Sequence, residues 1–190
     1  MKGAQNRPKP RRDADATRAR LLSAAQQAFA ARGFGDVGLR AIAADAACDP
    51  ALIARYFGSK EALFEAAIAD LLDTEPLLAG GKEGFGRHVV EYFINRRNDR
   101  GDPLPMMIFS TADPVSRAIT LRLLEERIIR PIGDWLDAGR GAELAARISI
   151  LCSGFFLYWQ ILPLQALAGE VPQETQKWLA EQLQAIVDSV

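Results

Sequence analysis

Apolar residues recur three and four positions apart along the first 60 residues, a spacing that places them on one face of a helix. One such stripe runs from Leu21 to Phe29 and stops at Gly33, and a shorter stripe runs from Leu39 to Ala46. Glycine commonly follows the last turn of a helix. The pattern therefore predicts a first helix, a tight connection and a short second helix.

A third helix is predicted after a turn at residues 47 and 48. The Asp49 carboxylate can accept hydrogen bonds from the free N–H groups of a new helix, and Pro50 suits its first position. Ile53 and Phe57 lie four apart and face inward, which leaves an outer side made of Ala51, Leu52, Arg55 and Tyr56. Two short helices joined by a tight turn, with arginine and tyrosine outside, are typical of a helix-turn-helix DNA reader.

A fourth helix is predicted directly after this reader helix. Gly58 ends the third helix and Ser59 caps the next one, which has Glu61 in its first turn. Lys60 stands beside the cap, where one phosphate could meet both the lysine and the helix N-terminus. We therefore expect Lys60 to contact the DNA backbone.

The segment FGSKEAL, together with the spacings upstream of it from residue 16, resembles the N-terminal domain of TetR-family transcriptional regulators. The resemblance is carried by Phe29, Gly33, Phe34, Leu39, Ile42, Ala43, Ile53, Tyr56, Phe57, Ser59, Lys60, Glu61 and Leu63. It implies an all-α protein with an N-terminal three-helix helix-turn-helix domain and a larger C-terminal helical domain for ligand binding and dimerisation. The residues expected at the DNA are Arg40, Pro50, Ala51, Leu52, Arg55, Tyr56 and Lys60.

Three positions depart from the usual pattern of the family. Val37 and Gly38 stand where the family usually has hydroxyl residues, and Ala54 stands where it usually has an aromatic residue. Those family positions commonly touch phosphates, so phosphate binding would depend more on the remaining basic residues. An alternative therefore stays open, namely a helical ligand-binding or scaffold protein with a degenerate DNA-binding module.

The charge is unevenly distributed along the chain. The 190 residues carry a net charge of −1. Residues 1–60 hold 11 Lys and Arg against 5 Asp and Glu, a balance of +6, whereas the other 130 hold 12 against 19, a balance of −7. The positive part coincides with the predicted reader, as expected for a partner such as double-stranded DNA.

The sequence shows no sign of a membrane or export segment. No uninterrupted apolar run approaches the roughly 20 residues that span a bilayer, and the basic N-terminus has no apolar stretch typical of a secretory signal. We therefore expect a cytoplasmic protein that does not enter the membrane.

Four regions are predicted. Residues 1–14 form a flexible basic arm, with an uninvolved tail as the alternative, 15–60 the DNA-binding domain, 61–78 a connecting helix ending near Pro76, and 79–190 the effector-binding and dimerisation domain. In the last region helices are expected at about 83–98, 103–111, 114–138, 141–167 and 172–189. Asp113 and Pro114 predict a capped helix start, and Pro131 predicts a kink.

Aromatic and methionine side chains in the second domain could line a mainly apolar pocket for a small effector. The candidates are His88, Tyr92, Phe93, Met107, Phe109, Phe155, Tyr158 and Trp159. Aromatic residues at helical spacing also form ordinary cores, so plain packing is the alternative for each of them.

The last two predicted helices are unusually apolar. A helix that is apolar nearly all round must be covered by several neighbours or by a partner subunit. TetR-like proteins pair these helices into a four-helix bundle, so the resemblance implies a homodimer, with one monomeric core as the alternative. The candidate interface residues are Ile148, Leu151, Trp178, Leu179, Leu183 and Ile186.

The sequence gives little support for enzyme chemistry. His88 is the only histidine, and the sequence places no nucleophile or carboxylate beside it. Cys48 and Cys152 lie far apart, without metal-ligand spacing, and are interpreted as small buried apolar residues. We expect no catalytic residue, no metal site and no cofactor.

These features together predict a homodimeric, ligand-responsive repressor. Its two reader helices would occupy successive major grooves of a palindromic operator, about 34 Å apart. Binding of a small, mainly apolar effector would change that spacing and relieve repression.

Overall fold

The computed structural model describes residues 10–95, 102–136 and 139–190, and every regular element within these ranges is helical. This agrees with the all-α prediction. The N-terminal part consists of four helices, namely α1 (Pro10–Asp36), α2 (Leu39–Asp45), α3 (Ala51–Phe57) and α4 (Lys60–Leu71). The C-terminal part consists of α5 (Glu75–Leu78), α6 (Phe85–Asn95), α7 (Pro103–Ser110), α8 (Pro114–Leu124), α9 (Arg130–Leu136), α10 (Gly141–Phe156) and α11 (Gln173–Val187).

Helix α1 begins earlier than the sequence predicted. It starts at Pro10, so residues 10–14 are helical and do not belong to a flexible arm. Proline is well tolerated in a first turn, and the hydroxyl of Thr17 donates a 2.8 Å hydrogen bond to the carbonyl oxygen of Asp13. The rest of the predicted arm, residues 1–9, lies outside the described residues.

The predicted connecting helix over 61–78 is in fact two helices. Helix α4 ends at Leu71, and the carboxylate of Asp73 accepts a 3.0 Å hydrogen bond from the backbone N–H of Glu75 to begin α5. Pro76 lies in the first turn of α5, where its missing N–H costs nothing, so it does not terminate a helix as predicted.

The core of the DNA-binding part is built around three phenylalanines. The ring centroid of Phe64 lies 5.2 Å from that of Phe29 and 5.4 Å from that of Phe34, both in edge-on geometry. Met106 from α7 and Leu123 from α8 are buried in the same cluster. This core therefore extends beyond α4 into the C-terminal part.

A second core joins α6, α9, α10 and α11. Its buried members include Phe85, Val89, Ile132, Leu136 and Leu144. Helices α6 and α11 touch at Gly86, because a Cβ placed there would lie 2.0 Å from the carbonyl oxygen of Ala180. Only glycine allows the two backbones to come this close.

The long helical segment from α8 to α9 is irregular where the sequence predicted a kink. A π-helical turn, Glu125–Ile129, joins the two helices, and the N–H of Arg130 donates to the carbonyl oxygen of Glu125 five residues earlier. Pro131 follows at once and has no N–H to donate. The chain thus stays helical through this point, as predicted, with the wider turn next to the proline. A second π-helical turn, Leu157–Ile161, follows α10.

Candidate nucleic-acid interface and ligand cavity

The connection between α2 and α3 is the tight turn that a helix-turn-helix requires. Ala47 adopts a left-handed backbone with φ of 50°, and the N–H of Cys48 donates a 2.9 Å hydrogen bond to the carbonyl oxygen of Ala43. The carboxylate of Asp49 accepts a 2.8 Å hydrogen bond from the N–H of Ala51, which confirms its predicted capping role. Helix α3 starts at Ala51, one residue later than predicted.

Helix α3 presents a mixed outer face. Ile53 is fully buried, as predicted, while Ala51 and Arg55 are exposed. Leu52 and Tyr56 were predicted to face outward, but both are half-buried against the core. They lie beside the inward-facing residues, and in a seven-residue helix packed against neighbours only the middle of the outer face stays exposed to solvent.

Two cations are held over aromatic rings beside this face. The guanidinium of Arg18 lies 5.0 Å from the ring centroid of Phe57, which is half-buried. The ammonium of Lys60 lies 4.5 Å from the ring centroid of Phe34. Such contacts fix the direction of a long side chain while its charge stays available to a phosphate.

The N-terminus of α4 has the predicted cap. The hydroxyl of Ser59 accepts a 3.1 Å hydrogen bond from the N–H of Ala62. The pKa of the Glu61 carboxyl is lowered by a hydrogen bond from its own backbone N–H and by the Ser59 hydroxyl. Lys60 is the first residue of this helix, so its charge adds to the positive end of the helix dipole.

The residues expected to meet DNA come from α2, from α3 and the residue before it, and from the start of α4. Arg40 and Pro50 are exposed on α2 and before α3, and Lys60 is half-buried at the start of α4. Val37, one of the departures from the family pattern, is 1% exposed and belongs to the core. Gly38 and Ala54 are exposed and add no polar side chain to the surface.

A cavity of about 140 Å³ lies between α4, α6, α7, α8, α9 and α10. Three predicted pocket residues, Tyr92, Phe93 and Met107, line it. The other lining residues are Asp70, Leu71, Leu72, Asp73, Leu77, Asp102, Pro103, Leu104, Leu124, Ile128, Ile132, Ile148, Ser149, Cys152, Ser153 and Phe156. The cavity is thus mostly aliphatic, with carboxylates and hydroxyls at a few places.

Two predicted pocket residues, His88 and Phe109, lie elsewhere. The Nε2 atom of His88 is 2.7 Å from the carbonyl oxygen of Pro76, so the ring ties α6 to α5. Phe109 is 43% exposed and packs against Gly33, whose φ of 76° ends the regular part of α1. Neither side chain belongs to the cavity lining, and each instead makes a contact with another helix.

Three more predicted pocket residues, at the end of α10 and in the π-helical turn Leu157–Ile161 after it, do not belong to the lining of this cavity. Phe155 is 8% exposed in the second core, and its ring centroid lies 5.2 Å from that of Trp159. Tyr158 is 46% exposed at the surface. Of this stretch only Phe156 reaches the cavity. Helical periodicity gives the faces of a helix, but it does not say which face meets a void.

The predicted dimer residues divide in the same way. Ile148, Leu179 and Leu183 are at most 2% exposed, so they belong to the core of one subunit and cannot form an interface. Trp178 is 53% exposed, while Leu151 and Ile186 are half-buried. Ile150, which its place in the apolar stretch did not single out, is 70% exposed on α10. Ile148, Leu179 and Leu183, which were predicted to contact a partner subunit, instead pack inward within the monomer.

The two cysteines lie in different surroundings. Burial raises the pKa of the Cys152 thiol to about 12, so this cavity-lining group stays neutral. The sulfur of Cys48 lies 3.7 Å from the Arg20 guanidinium and donates to the carbonyl oxygen of Ala46 at 3.2 Å. Both cysteines are half-buried, whereas they were interpreted as buried small apolar residues.

The segment Gly141–Ile161 is long and apolar enough to cross a membrane by length and composition alone, and 22% of its most apolar window is buried in the monomer. Its first two turns carry the charged residues Glu143 and Arg147. The uncharged remainder is shorter than the roughly 20 residues that a span requires. Length and composition alone are therefore weak evidence for a membrane span here.

Two family models match the chain. Residues 21–67 match the model described as bacterial regulatory proteins of the tetR family. Residues 83–187, more than half of the chain, match the tetracyclin repressor-like C-terminal domain. The two matches correspond to the helix-turn-helix part and to the helices around the cavity.

Individual relatives agree with the models. The regulator UidR of Escherichia coli K12 is 39% identical over 83 residues, 43% of this chain, and the match spans 41% of the length of UidR. RaaS of Mycobacterium tuberculosis is 29% identical over 162 residues, 79% of this chain and 75% of its own length. Both are described as HTH-type transcriptional regulators.

Solved structures show the same fold over almost the whole chain. A TetR-family regulator from Rhodococcus sp. superimposes with a TM-score of 0.69 at 17% identity, covering 93% of this chain and 98% of that one. A regulator from Saccharomonospora viridis in complex with choline gives 0.60 at 18% identity, covering 92% and 96%. Reader geometry, domain order and both family models lead to one conclusion: this chain belongs to the TetR family of DNA-binding transcriptional regulators.

Proposed function

We propose that this protein is a cytoplasmic, homodimeric repressor that binds a palindromic operator and leaves it when a small, mainly apolar effector binds. The observation that carries the proposal is that one helix, α4, serves both sites. Its first residue, Lys60, stands beside the reader helix, and its last turn supplies Asp70 and Leu71 to the cavity wall. Family members are regulators and not enzymes.

The proposed DNA face consists of Arg40, Pro50, Ala51, Arg55 and Lys60, with the half-buried Leu52 and Tyr56 at its edges. The Arg55 guanidinium lies 6.0 Å from the ring centroid of Tyr56, so the ring supports the exposed charge at the centre of the face. An arginine so placed can contact a base edge or a phosphate.

The proposed dimer face lies on α10 and α11. Ile150 and Gly154 on α10 and Tyr158 in the π-helical turn after it are spaced four apart, and Trp178 is exposed on α11. A Cβ built on Gly154 would meet nothing within 4 Å in the monomer, so the glycine leaves room for a helix from outside. This arrangement supports pairing of the last two helices across a two-fold axis.

The effector response is supported by how the cavity touches the reader. Besides α4, helix α7 lines the cavity through Leu104 and Met107 and packs on α1 through Phe109. A ligand that favours one placement of α4 and α7 changes the operator affinity by its differential affinity for the two states, typically about 1–3 kcal/mol.

The proposal is tested by footprinting on the DNA that flanks the gene, followed by affinity measurements on the protected duplex. Arg55→Ala should weaken binding by about 1–3 kcal/mol, since it removes one reading or phosphate contact. Tyr56→Phe, which keeps the half-buried ring, should weaken it less. Arg127→Ala, an exposed arginine on the π-helical turn, is the matched control and should have no effect.

A second candidate is a helical ligand-binding or scaffold protein that no longer binds DNA. It is favoured by the bare surface at Gly38 and Ala54, where no polar side chain replaces the family's usual groups. The same experiment separates the two. If no duplex is protected, and the affinity for random DNA equals that for the flanking DNA at low salt, the scaffold is the better description.

A further inference from the structure

One wall of the cavity carries hydroxyl groups that the apolar-effector proposal does not use. Helix α10 contributes five lining residues, and their spacing places them on one face of the helix: Ile148, Ser149, Cys152, Ser153 and Phe156. The two serines are four residues apart, so their side chains lie one above the other on this face. Helix α10 therefore brings two neutral hydrogen-bonding groups to the cavity.

The two hydroxyls differ in what they can offer a ligand. Ser149 donates its only hydroxyl proton to the carbonyl oxygen of Ala145 at 2.9 Å, so its Oγ atom is left as an acceptor. The Ser153 hydroxyl makes no hydrogen bond to the described residues, so it can both donate and accept. A ligand group that bonds to both serines must therefore contain a proton of its own.

One small group can reach both serines. The Cβ atoms of residues four apart in a helix are about 5–6 Å from each other. A hydrogen bond between two hydroxyl groups spans about 2.7–2.8 Å between the oxygens. A single oxygen atom between Ser149 and Ser153 is thus within bonding distance of both, and a hydroxyl group supplies the proton for one bond and the lone pair for the other.

The other walls of the cavity are mainly aliphatic. They include Leu71, Leu72, Leu77, Leu104, Leu124, Ile128 and Ile132. The carboxylate of Asp70 accepts a 3.0 Å hydrogen bond from the side-chain amide of Gln26. Asp73 and Asp102 accept hydrogen bonds from the starts of α5 and α7, and each has a further partner. These carboxylates therefore give no reason to expect a charged ligand.

From the two hydroxyls and the aliphatic walls we infer that the effector of this cavity is a neutral alcohol or phenol built on a single small ring. Its hydroxyl donates a hydrogen bond to Ser149 and accepts one from Ser153, while its ring fills the aliphatic space. The inference rests on the proposed ligand response and names the chemical class of the ligand.

The size of the cavity limits the ligand to one ring. About 140 Å³ is close to the roughly 150 Å³ apolar cavity that binds one benzene molecule in an engineered protein. The rings of Phe93 and Phe156, with centroids 4.4 Å apart in edge-on geometry, line the same space and can pack against an aromatic ligand. A second fused ring would have to push helices apart.

The test compares benzyl alcohol with anisole, two isomers of nearly equal size of which only the alcohol has a hydroxyl proton. In NMR titrations of the purified full chain, we expect benzyl alcohol to bind about 2–10-fold more tightly, the usual contribution of one neutral hydrogen bond. Naphthylmethanol, which adds a second ring to the same alcohol, should bind more weakly than benzyl alcohol because it overfills the cavity.

Alanine variants identify the groups responsible. Ser149→Ala should lower the benzyl alcohol affinity by about 2–10-fold and leave the anisole affinity unchanged, because only the alcohol donates to Ser149. Ser153→Ala should lower both affinities, since the anisole oxygen can also accept from Ser153. Ser23→Ala, an exposed serine on α1, is the control and should change neither.

The outcomes separate this inference from the proposed function. Equal affinities for the two isomers in the unmodified protein, no binding of benzyl alcohol, or tighter binding of naphthylmethanol overturns the inference. An unchanged preference for the alcohol in Ser149→Ala does the same. If benzyl alcohol binds as expected and the operator stays bound, the proposed ligand response fails, whereas the assigned ligand class stands. If the ligand-free protein does not bind the operator, the proposed repressor fails and the ligand class again stands.

Discussion

Ala47 holds a backbone conformation that suits glycine better. It is the only non-glycine residue with positive φ in the described part of the chain. A left-handed conformation costs an L-residue about 1–2 kcal/mol, and a glycine at this position avoids that cost. Part of the gain is lost because glycine has more chain entropy to lose on folding. We expect Ala47→Gly to raise the free energy of unfolding by about 0.5–1 kcal/mol in urea titrations.

The matched control for this change is Ala44→Gly. Ala44 is exposed within α2, so the same substitution there removes helix propensity and should lower the free energy of unfolding by about 1 kcal/mol. If both variants lose stability equally, the turn does not strain Ala47.

Glu143 is a second residue whose local pairing can be measured. Its carboxylate accepts two 2.8 Å hydrogen bonds from Arg140, which lower its pKa from 4.5 to about 2, with a further contribution from Arg147. A carboxyl group whose pKa is lowered on folding stabilises the folded state when the pH is above the ordinary pKa of 4.5. This contribution disappears as the pH falls from about 4.5 toward 2.

The prediction is that Arg140→Gln raises the pKa of Glu143 toward its ordinary value, followed by NMR titration of its side-chain carboxyl carbon. Because these groups are exposed, high salt should raise the pKa in the parent protein as well. Arg127→Gln serves as the control, and an equal rise in that variant would show that the pairing with Arg140 is not the cause.

At the scale of helices, the capping residues could be predicted, whereas the start of α1, the end of α4 and several packing faces could not. Asp49, Ser59 and Asp113 were predicted as caps, and each accepts a backbone hydrogen bond at 2.8 to 3.1 Å. A cap depends on residues two or three positions away, which the sequence shows directly. The helix-turn-helix was predictable for the same reason.

The candidate ligand site depended on contacts between distant helices. Ile148 was assigned to a dimer interface and in fact lines the cavity, while Trp159 was assigned to the cavity and in fact packs on Phe155. Ile148 lies on α10 and Trp159 in the π-helical turn that follows it, and only the placement of neighbouring helices decides which side each one faces. The sequence therefore predicted a pocket and an interface but assigned their residues poorly.

The role of α7 and α4 as connecting elements predicts what filling the cavity does. Cys152→Phe places a ring into about 140 Å³ of mostly apolar space and should act like a bound effector. We expect operator affinity to fall by about 5–150-fold without any ligand, the usual range of coupling between sites. Cys152→Ala, which leaves the cavity open, should bind the operator normally.

Phe109→Ala examines the transmission of this effect. Phe109 lies outside the cavity and packs against Gly33 in α1. A Cβ built on Gly33 would lie 3.2 Å from the Cβ of Phe109. In the Cys152→Phe background, the substitution should restore part of the operator affinity. If the affinity stays low while circular dichroism shows a folded protein, α4 alone carries the coupling.

At the scale of the whole molecule, the exposed apolar face of α10 and α11 predicts the oligomeric state. Ile150→Glu should shift the protein from dimer to monomer in sedimentation experiments, since a charge would be buried at the centre of the face. Leu121→Glu is the control, because Leu121 is 61% exposed on α8, away from that face. A monomer before any substitution, or dissociation by both variants, would contradict the assigned face.

Loss of the dimer should also weaken operator binding far more than it weakens binding to a single half-site. The two reader helices act together only when one two-fold axis relates them. Comparing Ile150→Glu on full and half operators measures this directly, with Leu121→Glu again as the control.

The core around Phe29, Phe34 and Phe64 is completed by Met106 and Leu123, which come from helices beyond α4. The reader is therefore not a detachable unit, and a fragment ending after α4 would expose apolar surface that α7 and α8 normally cover. A change of DNA specificity is therefore better attempted by replacing the exposed residues of α3 alone. Exchanging the entire N-terminal half would disrupt the buried cluster that this part shares with Met106 and Leu123.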